Sequence, residues 1–369
     1  MKRILPLILA IAWRLAVPLR GGVPTAVDGF ALPQPGHAFV FPRDDGSHPD
    51  FRIEWWYVTG HLFADSGRRF GFQATFFRQA SAPGAGGSGA RFGDGQVFLA
   101  HMALLDVASG RFISQERLNR EGWDAGAARD TLDVRNGNWS LRLADPAGPR
   151  LALIGGVRAE AAFALSLVPR KPLVVFGEDG VSRKGADASA ASYYLTFPRL
   201  QADGELSLGE EKWHVTGEAW MDHEISSSQL GGGEVGWDWI GLQLRDGREI
   251  MLYRLRRADG TMDPASALTW VDAAGQTHRE PFTWEVVDRW KSAATGADYP
   301  SRVRLTTTDP STQSPVTLTI EPLAKDQELT GSLGGIPYWE GACRIRAAEG
   351  GEIGSGYLEL TGYAHPLKL

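Results

Sequence analysis

The chain has 369 residues, 43% hydrophobic and 22% charged, enough for two cores of ordinary domain size. A net charge of −6 without a long basic run argues against a nucleic-acid partner, and the single Cys343 excludes an internal disulfide or a multi-cysteine metal site. Its 45 glycines and 13 tryptophans favour turn-rich β structure built on large aromatic packing units.

Lys2 and Arg3 precede the apolar run Ile4–Trp13, which has the length of a signal-peptide core and is too short to span a bilayer. Arg14 interrupts the run, no clean small-x-small cleavage site follows, and no cysteine is placed to take a lipid anchor. Residues 1–30 therefore read as an export signal and leader, removed somewhere between residues 16 and 31. The expected location is periplasmic or secreted, with no transmembrane segment in the mature chain.

From Phe39 onward, short β-type segments alternate with turns, and helical periodicity is hard to find. Glu54–Leu62 and Phe70–Arg78 form a hairpin across Ala64-Asp65-Ser66-Gly67. Gly84–Gly89 spells G-x-G-x-x-G, but lacks the preceding strand and following helix of a dinucleotide site, so it reads as a loop. Gln96–Asp106 is a third strand, Asn136-Gly137 turns another hairpin, and further strands are expected at 150–155, 161–168, 192–198 and 212–222.

The second half repeats this order. Trp239–Leu244, an Asp246-Gly247 turn and Glu249–Arg254 mimic the first hairpin, and Gly356–Tyr363 falls where Gly217–Glu224 falls earlier. Two antiparallel units meeting near residue 225 explain the pattern, each closed as a barrel or stacked as a sandwich.

Gly217-Glu218-Ala219-Trp220-Met221-Asp222-His223-Glu224 concentrates the chemistry. On a regular strand Trp220, Asp222 and Glu224 share one face, and His223 points to the other. A carboxyl beside an indole loses hydration, which raises its pKa and suits acid catalysis near neutrality. The plain alternative is a strand end entering a solvated loop. Glu54 with Trp55 and Trp56 is a matching aromatic–acid cluster, open to the same two readings.

Several stretches together resemble the AttH-like "predicted secreted hydrolases", relatives of the carotenoid 1,2-hydratases. They are Phe41-Pro42-Arg43-Asp44, Glu54–Gly60, Ala100-His101, Tyr193-Tyr194 with Pro198-Arg199-Leu200, Gly217–Glu224, Tyr338-Trp339-Glu340-Gly341 and Gly356–Tyr363. The resemblance covers nearly all of residues 37–365. It implies an all-β chain of two lipocalin-like (calycin) antiparallel barrels in tandem, at 31–225 and 226–369, with a groove near their junction. It also brings His101 and Tyr194 to the ligand-binding side. No Gly-x-Ser-x-Gly elbow and no Cys–His pairing around Cys343 support hydrolysis.

Acid-catalysed hydration of an alkene needs a proton donor, stabilisation of a carbocation and a placed water. Asp222 as donor, His223 or Glu224 as helper, and Trp220, Trp237 and Trp239 as apolar or π walls would meet those needs. His223 could join Asp222 in one pocket only at a bulge or strand end. His61, His101 and His223 with Asp222 show no short ligand spacing, so neither metal nor cofactor is expected; His37, His48, His214, His278 and His365 read as surface or loop residues. Two functions stay open for a small hydrophobic ligand: a hydratase- or isomerase-like enzyme, and a periplasmic lipophile carrier or chaperone serving a membrane-associated transport partner.

Overall fold

The computed structural model describes residues 25, 26, 28–85, 95–145, 148–333 and 336–367. Most of the expected export signal and leader at residues 1–30, and most of the Gly84–Gly89 loop, lie outside these residues. Apart from one 3-10 turn at Arg43–Asp45, every regular element among the described residues is a β-strand, and no helix there is long and apolar enough to cross a membrane.

The strands form two antiparallel sheets of the same plan. In the first, Ile53–Ala64, Arg69–Ala80, Gln96–Asp106 and Arg111–Arg120 make a meander. Ile53–Ala64 also pairs with the sheet's last strand, Glu211–Ser228, and Ala191–Leu208 follows on that side. Ala161–Pro169, Gly148–Val157, Trp139–Asp145, Asp133–Asn136 and Ala125–Ala127 continue it. Side chains tie the two ends of this curled sheet together. Asn136 donates to Phe98 O at 3.1 Å, Asn119 donates to the Asn136 carbonyl at 2.6 Å, and the Arg117 guanidinium stacks 3.7 Å from the Trp139 ring centre.

The second sheet repeats the meander with Glu234–Leu244, Glu249–Arg257, Ala267–Val271 and Thr277–Glu280. Its first strand again pairs with its last, Glu352–Thr361, and Tyr338–Ala347, Pro315–Pro322, Asp298–Thr308 and Phe282–Lys291 complete the path. Gly217–Glu224 and Gly356–Thr361 therefore hold the same place in two like sheets. Ala191–Leu208 and Glu211–Ser228 run 18 residues each, longer than their sequence suggests. Polar residues mask an inward row of Leu200, Ala202 and Leu206, and the register slips between Phe197 and Leu200, where Pro198 has no amide to donate.

Each sheet wraps its own core, the first built on Trp56, Val58, Phe72, Phe163 and Met221, the second on Ile240, Trp270, Val303, Trp339 and Leu358. A third apolar cluster joins the outer faces of the two sheets through Tyr57, Tyr194, Trp220, Trp239, Tyr253 and Tyr357. The faces approach so closely at Gly71 that an added Cβ would stand 2.6 Å from the Ala342 Cβ. Polar ties reinforce the contact: Tyr57 donates to Glu340 at 2.6 Å, and the Gln243 amide donates to Pro198 O and Ala219 O at 2.8 and 2.9 Å.

Candidate functional site

A cavity of about 360 Å³ opens between the two outer faces. Trp55, Tyr57 and Tyr194 wall it from the first sheet, and Trp237, Trp239 and Tyr253 from the second. Its lining also includes Val97, Leu118 and Leu333, three large apolar residues that are exposed at the surface. The alternation of the Glu211–Ser228 strand decides what reaches this space: Ala219 and Met221 fill the first core, and Asp222 and Glu224 face the cavity.

Asp222 is 3% exposed and has no cationic partner among the hydrogen bonds to its carboxyl. Its Oδ1 accepts from Thr196 Oγ1 at 2.6 Å and from Trp220 Nε1 at 2.7 Å. Its Oδ2 lies 2.7 Å from Tyr194 Oη, which itself accepts from Trp239 Nε1 at 2.7 Å. Burial pushes Asp222 up to about 7, against the pull of these bonds and with the help of the Glu224 charge. An indole N–H can only donate, so Oδ1 is committed as an acceptor; in the neutral acid the proton belongs on Oδ2, which also accepts from Tyr194 Oη.

Other ionisable groups surround this centre. Burial lifts Glu359 to about 7 as well, opposed by the 2.9 Å bond from Trp237 Nε1 and aided by the charges of Glu224 and Asp222. Burial, with Glu359 and Asp222 adding, pushes Glu340 well above the carboxylate range. Lys184 bonds Glu224 at 3.2 Å and sits over the Tyr194 and Tyr253 rings, 4.5 and 4.1 Å from their centres.

A family model described as AttH-like matches residues 32–363. The chain belongs to the AttH-like family. A crystal structure of a protein assigned as AttH from Nitrosomonas europaea is 36% identical, covering 90% of this chain and 100% of that one, with a TM-score of 0.80. Kievitone hydratase from Nectria haematococca shares the fold at 15% identity and a TM-score of 0.66, over 93% of this chain and 99% of its own. CghA, in its structure with Sch210972, does so at 13% and 0.57, over 92% and 98%. No curated protein matches the chain.

In this AttH-like protein Trp55, His101, Tyr194, Asp222, Glu224, Trp237 and Trp239 line the cavity together. Trp220 stands behind them, bonded to Asp222 and edge-on to Trp239 at 6.0 Å. His223 and Trp56 do not join them. No bulge occurs at Asp222, so both point into the first barrel, stacked on each other at 4.9 Å, with Trp56 Nε1 bonded to Asp45 O.

Glu54 borders the cavity, but its carboxylate is occupied elsewhere. Oε1 accepts from His48 and His223 at 2.9 Å each, and Oε2 from Arg78 Nε at 2.9 Å. Burial would raise its pKa, but the Arg78 charge and the two imidazoles hold it well below the usual range. Glu54 is thus an anion clamped in place, the opposite of Asp222.

His48 is a loop residue, as expected, but a buried one. The turn at Arg43–Asp45 folds its loop over the barrel end, burying His48 between Glu54 and Asp44, which lift it to about 9 against the effect of burial. His48, Glu54 and His223 each place one ligand-type atom within 4.8 Å of the others. Glu54 already accepts from both rings and from Arg78, whose guanidinium opposes a bound cation. His61 lies apart, bonded to Gly356 O at 3.0 Å.

Glu359, Lys184, Tyr57, Gln73 and Tyr338 were not singled out in the sequence. Glu359 carried no signal as an acid: in the duplicated plan Gly356–Thr361 matches Gly217–Asp222, so Glu359, across the ladder from Trp239, stands where Trp220 stands across from Thr59, and Thr361 takes the place of Asp222. Lys184 follows a two-residue strand and carries no pattern of its own.

Proposed function

We propose that this protein binds a long apolar ligand, such as a lipid, terpenoid or polyene, in the cavity between its barrels. There it catalyses acid-assisted hydration or isomerisation of a C=C bond. The observation that carries this reading is Asp222, a buried carboxyl without a cationic partner, lifted to about 7 in an aromatic cavity. The alkene π pair takes the proton from Asp222 Oδ2, forming a C–H bond and a carbocation beside the indole faces. Water then forms the C–O bond, and its spare proton returns to the Asp222 carboxylate, directly or by way of Glu359, which restores the acid. The net change is addition of one water.

Incubating the protein with a panel of polyenes in ¹⁸O-labelled water tests this by mass spectrometry. Hydration predicts a product heavier by one labelled water. Loss of the double bond's position without mass gain predicts isomerisation. Tight binding with no change in any ligand would support the non-catalytic lipophile carrier instead.

We also propose export to the periplasm or medium, on the strength of Lys2-Arg3 before the Ile4–Trp13 run. The mature N-terminus is expected between residues 16 and 31, read by mass spectrometry of protein from its own host. Intact Met1 on cytosolic protein would sink the idea.

A further inference from the structure

The cavity has a second polar centre, which the proton transfer does not use. His101 stands on Gln96–Asp106, Gln73 on Arg69–Ala80, and Tyr338 opens Tyr338–Ala347 of the other sheet; all three line the cavity. Gln73 Nε2 donates to Tyr338 Oη at 2.9 Å and to Thr75 Oγ1 at 3.0 Å, and Tyr338 Oη lies 2.7 Å from His101 Nδ1. Gln73 and His101 are 1% and 4% exposed. Two of their atoms, Gln73 Oε1 and His101 Nε2, are buried without a hydrogen-bond partner.

Leaving a buried polar atom unmade costs about 1–3 kcal/mol, so two at one cavity wall mark a place where a ligand group belongs. The bonding pattern fixes what that group must offer. Burial pushes His101 down to about 4, so its ring is neutral with one N–H at neutral pH. Tyr338 Oη already accepts from Gln73, and donating its own hydrogen to His101 Nδ1 uses that hydrogen well. The ring hydrogen then sits on Nε2. The wall thus presents one acceptor, Gln73 Oε1, and one donor, His101 Nε2–H, whose neighbouring carboxylate oxygen, Glu116 Oε1, stands 3.9 Å away, beyond hydrogen-bond reach. A hydroxyl can serve both, donating to the first and accepting from the second. A carbonyl or ether satisfies only the donor, and a hydrocarbon neither.

We propose that the ligand of this cavity carries an alcohol or phenol hydroxyl, held by His101 and Gln73 while the rest of the molecule reaches Asp222. The substrate class is an unsaturated apolar alcohol or phenol, not a pure hydrocarbon. The inference rests on the cavity being a site for an apolar ligand, as proposed above.

Titrating the full chain with farnesol and with its methyl ether, followed by quenching of tryptophan fluorescence, separates the two ideas. Farnesol is expected to bind about tenfold or more tighter than the ether. Gln73→Leu is expected to bring the two probes within about twofold of each other, because only the alcohol can donate to Gln73 Oε1, while His101→Phe removes a donor both probes use and weakens both with their ratio kept. A merely structural role for Gln73 would weaken both probes alike and leave their ratio intact. Equal binding of the two probes by the unmodified protein would overturn the hydroxyl site and leave the apolar cavity standing, as would a ratio unchanged in Gln73→Leu. Binding of neither probe up to its solubility limit would overturn the apolar-ligand reading and this inference with it.

Discussion

Asp222→Asn is expected to lower turnover by about 10²-fold or more, the range for loss of a general acid, while ligand affinity and fold survive. Asparagine can reproduce most of the bonding of the protonated acid. Its carbonyl accepts from Thr196 and Trp220 where Oδ1 does now, and its amide faces Tyr194 Oη, which turns from donor to acceptor. What it lacks is a proton of comparable acidity. The pH dependence gives an independent readout. Asp222 is raised from 3.8 to about 7, so its contribution to stability is fully present below about 3.8 and is lost as pH rises through about 7. The unmodified protein should therefore lose stability relative to Asp222→Asn across that window, on the order of a few kcal/mol. Urea unfolding at pH 4 and pH 8 measures this, with the variant more stable at pH 8. Glu359 shifts in the same direction and will leave a residual slope in the variant. Turnover of the unmodified protein should also fall above about pH 7 as the donor ionises. If the variant turns over normally, or is destabilised equally at both pH values, Asp222 is a structural strand residue.

The elements were legible because turns and alternation are local properties. Asn136-Gly137 closes its hairpin with Gly137 at a φ of +64°, which glycine adopts without strain. The face shared by Trp220, Asp222 and Glu224 follows from strand geometry alone, as does the opposite sense of His223. What alternation cannot say is what each face meets. Trp55-Trp56-Tyr57-Val58 is apolar throughout because the strand is covered on both sides, by its own barrel and by the other sheet. Trp55 and Trp56 are neighbours in sequence and end in different environments, one at the cavity between the sheets and one in a core. His48 shows the same limit for loops, since its burial depends on the turn at Arg43–Asp45 folding over a barrel end, which no alternation pattern marks. Lys184 depends on two tyrosines from different sheets, and the cavity itself exists only once the two outer faces have met.

The junction that makes this cavity should be the most sensitive point for stability. Glu249, fully buried on the second sheet, is gripped by two cations from the first: Lys171 Nζ at 2.5 Å and Arg199 Nε at 2.7 Å. Lys171 also donates to Gly247 O and Asp272 O at 2.6 Å each, and Arg199 to Leu244 O at 2.9 Å, so neither side chain is free to swing to solvent. Removing one member of a buried ion network leaves the others desolvated without a counter-charge, at a cost of about 3–5 kcal/mol. Glu249→Gln is expected to destabilise the protein by that amount in urea, although it preserves shape and one accepting oxygen. Glu218→Gln is the matched control. It faces the same Arg199 at 2.7 Å, but its side chain is 48% exposed, and exposed pairs contribute about 1 kcal/mol or less. A large loss for Glu249→Gln with a small one for Glu218→Gln would locate the stability in the buried tie between the sheets. If both cost under about 1 kcal/mol, the apolar cluster of Tyr57, Trp220, Trp239 and Tyr357 holds the sheets together unaided. The cavity would then keep its shape, and farnesol binding in Glu249→Gln would match the unmodified protein.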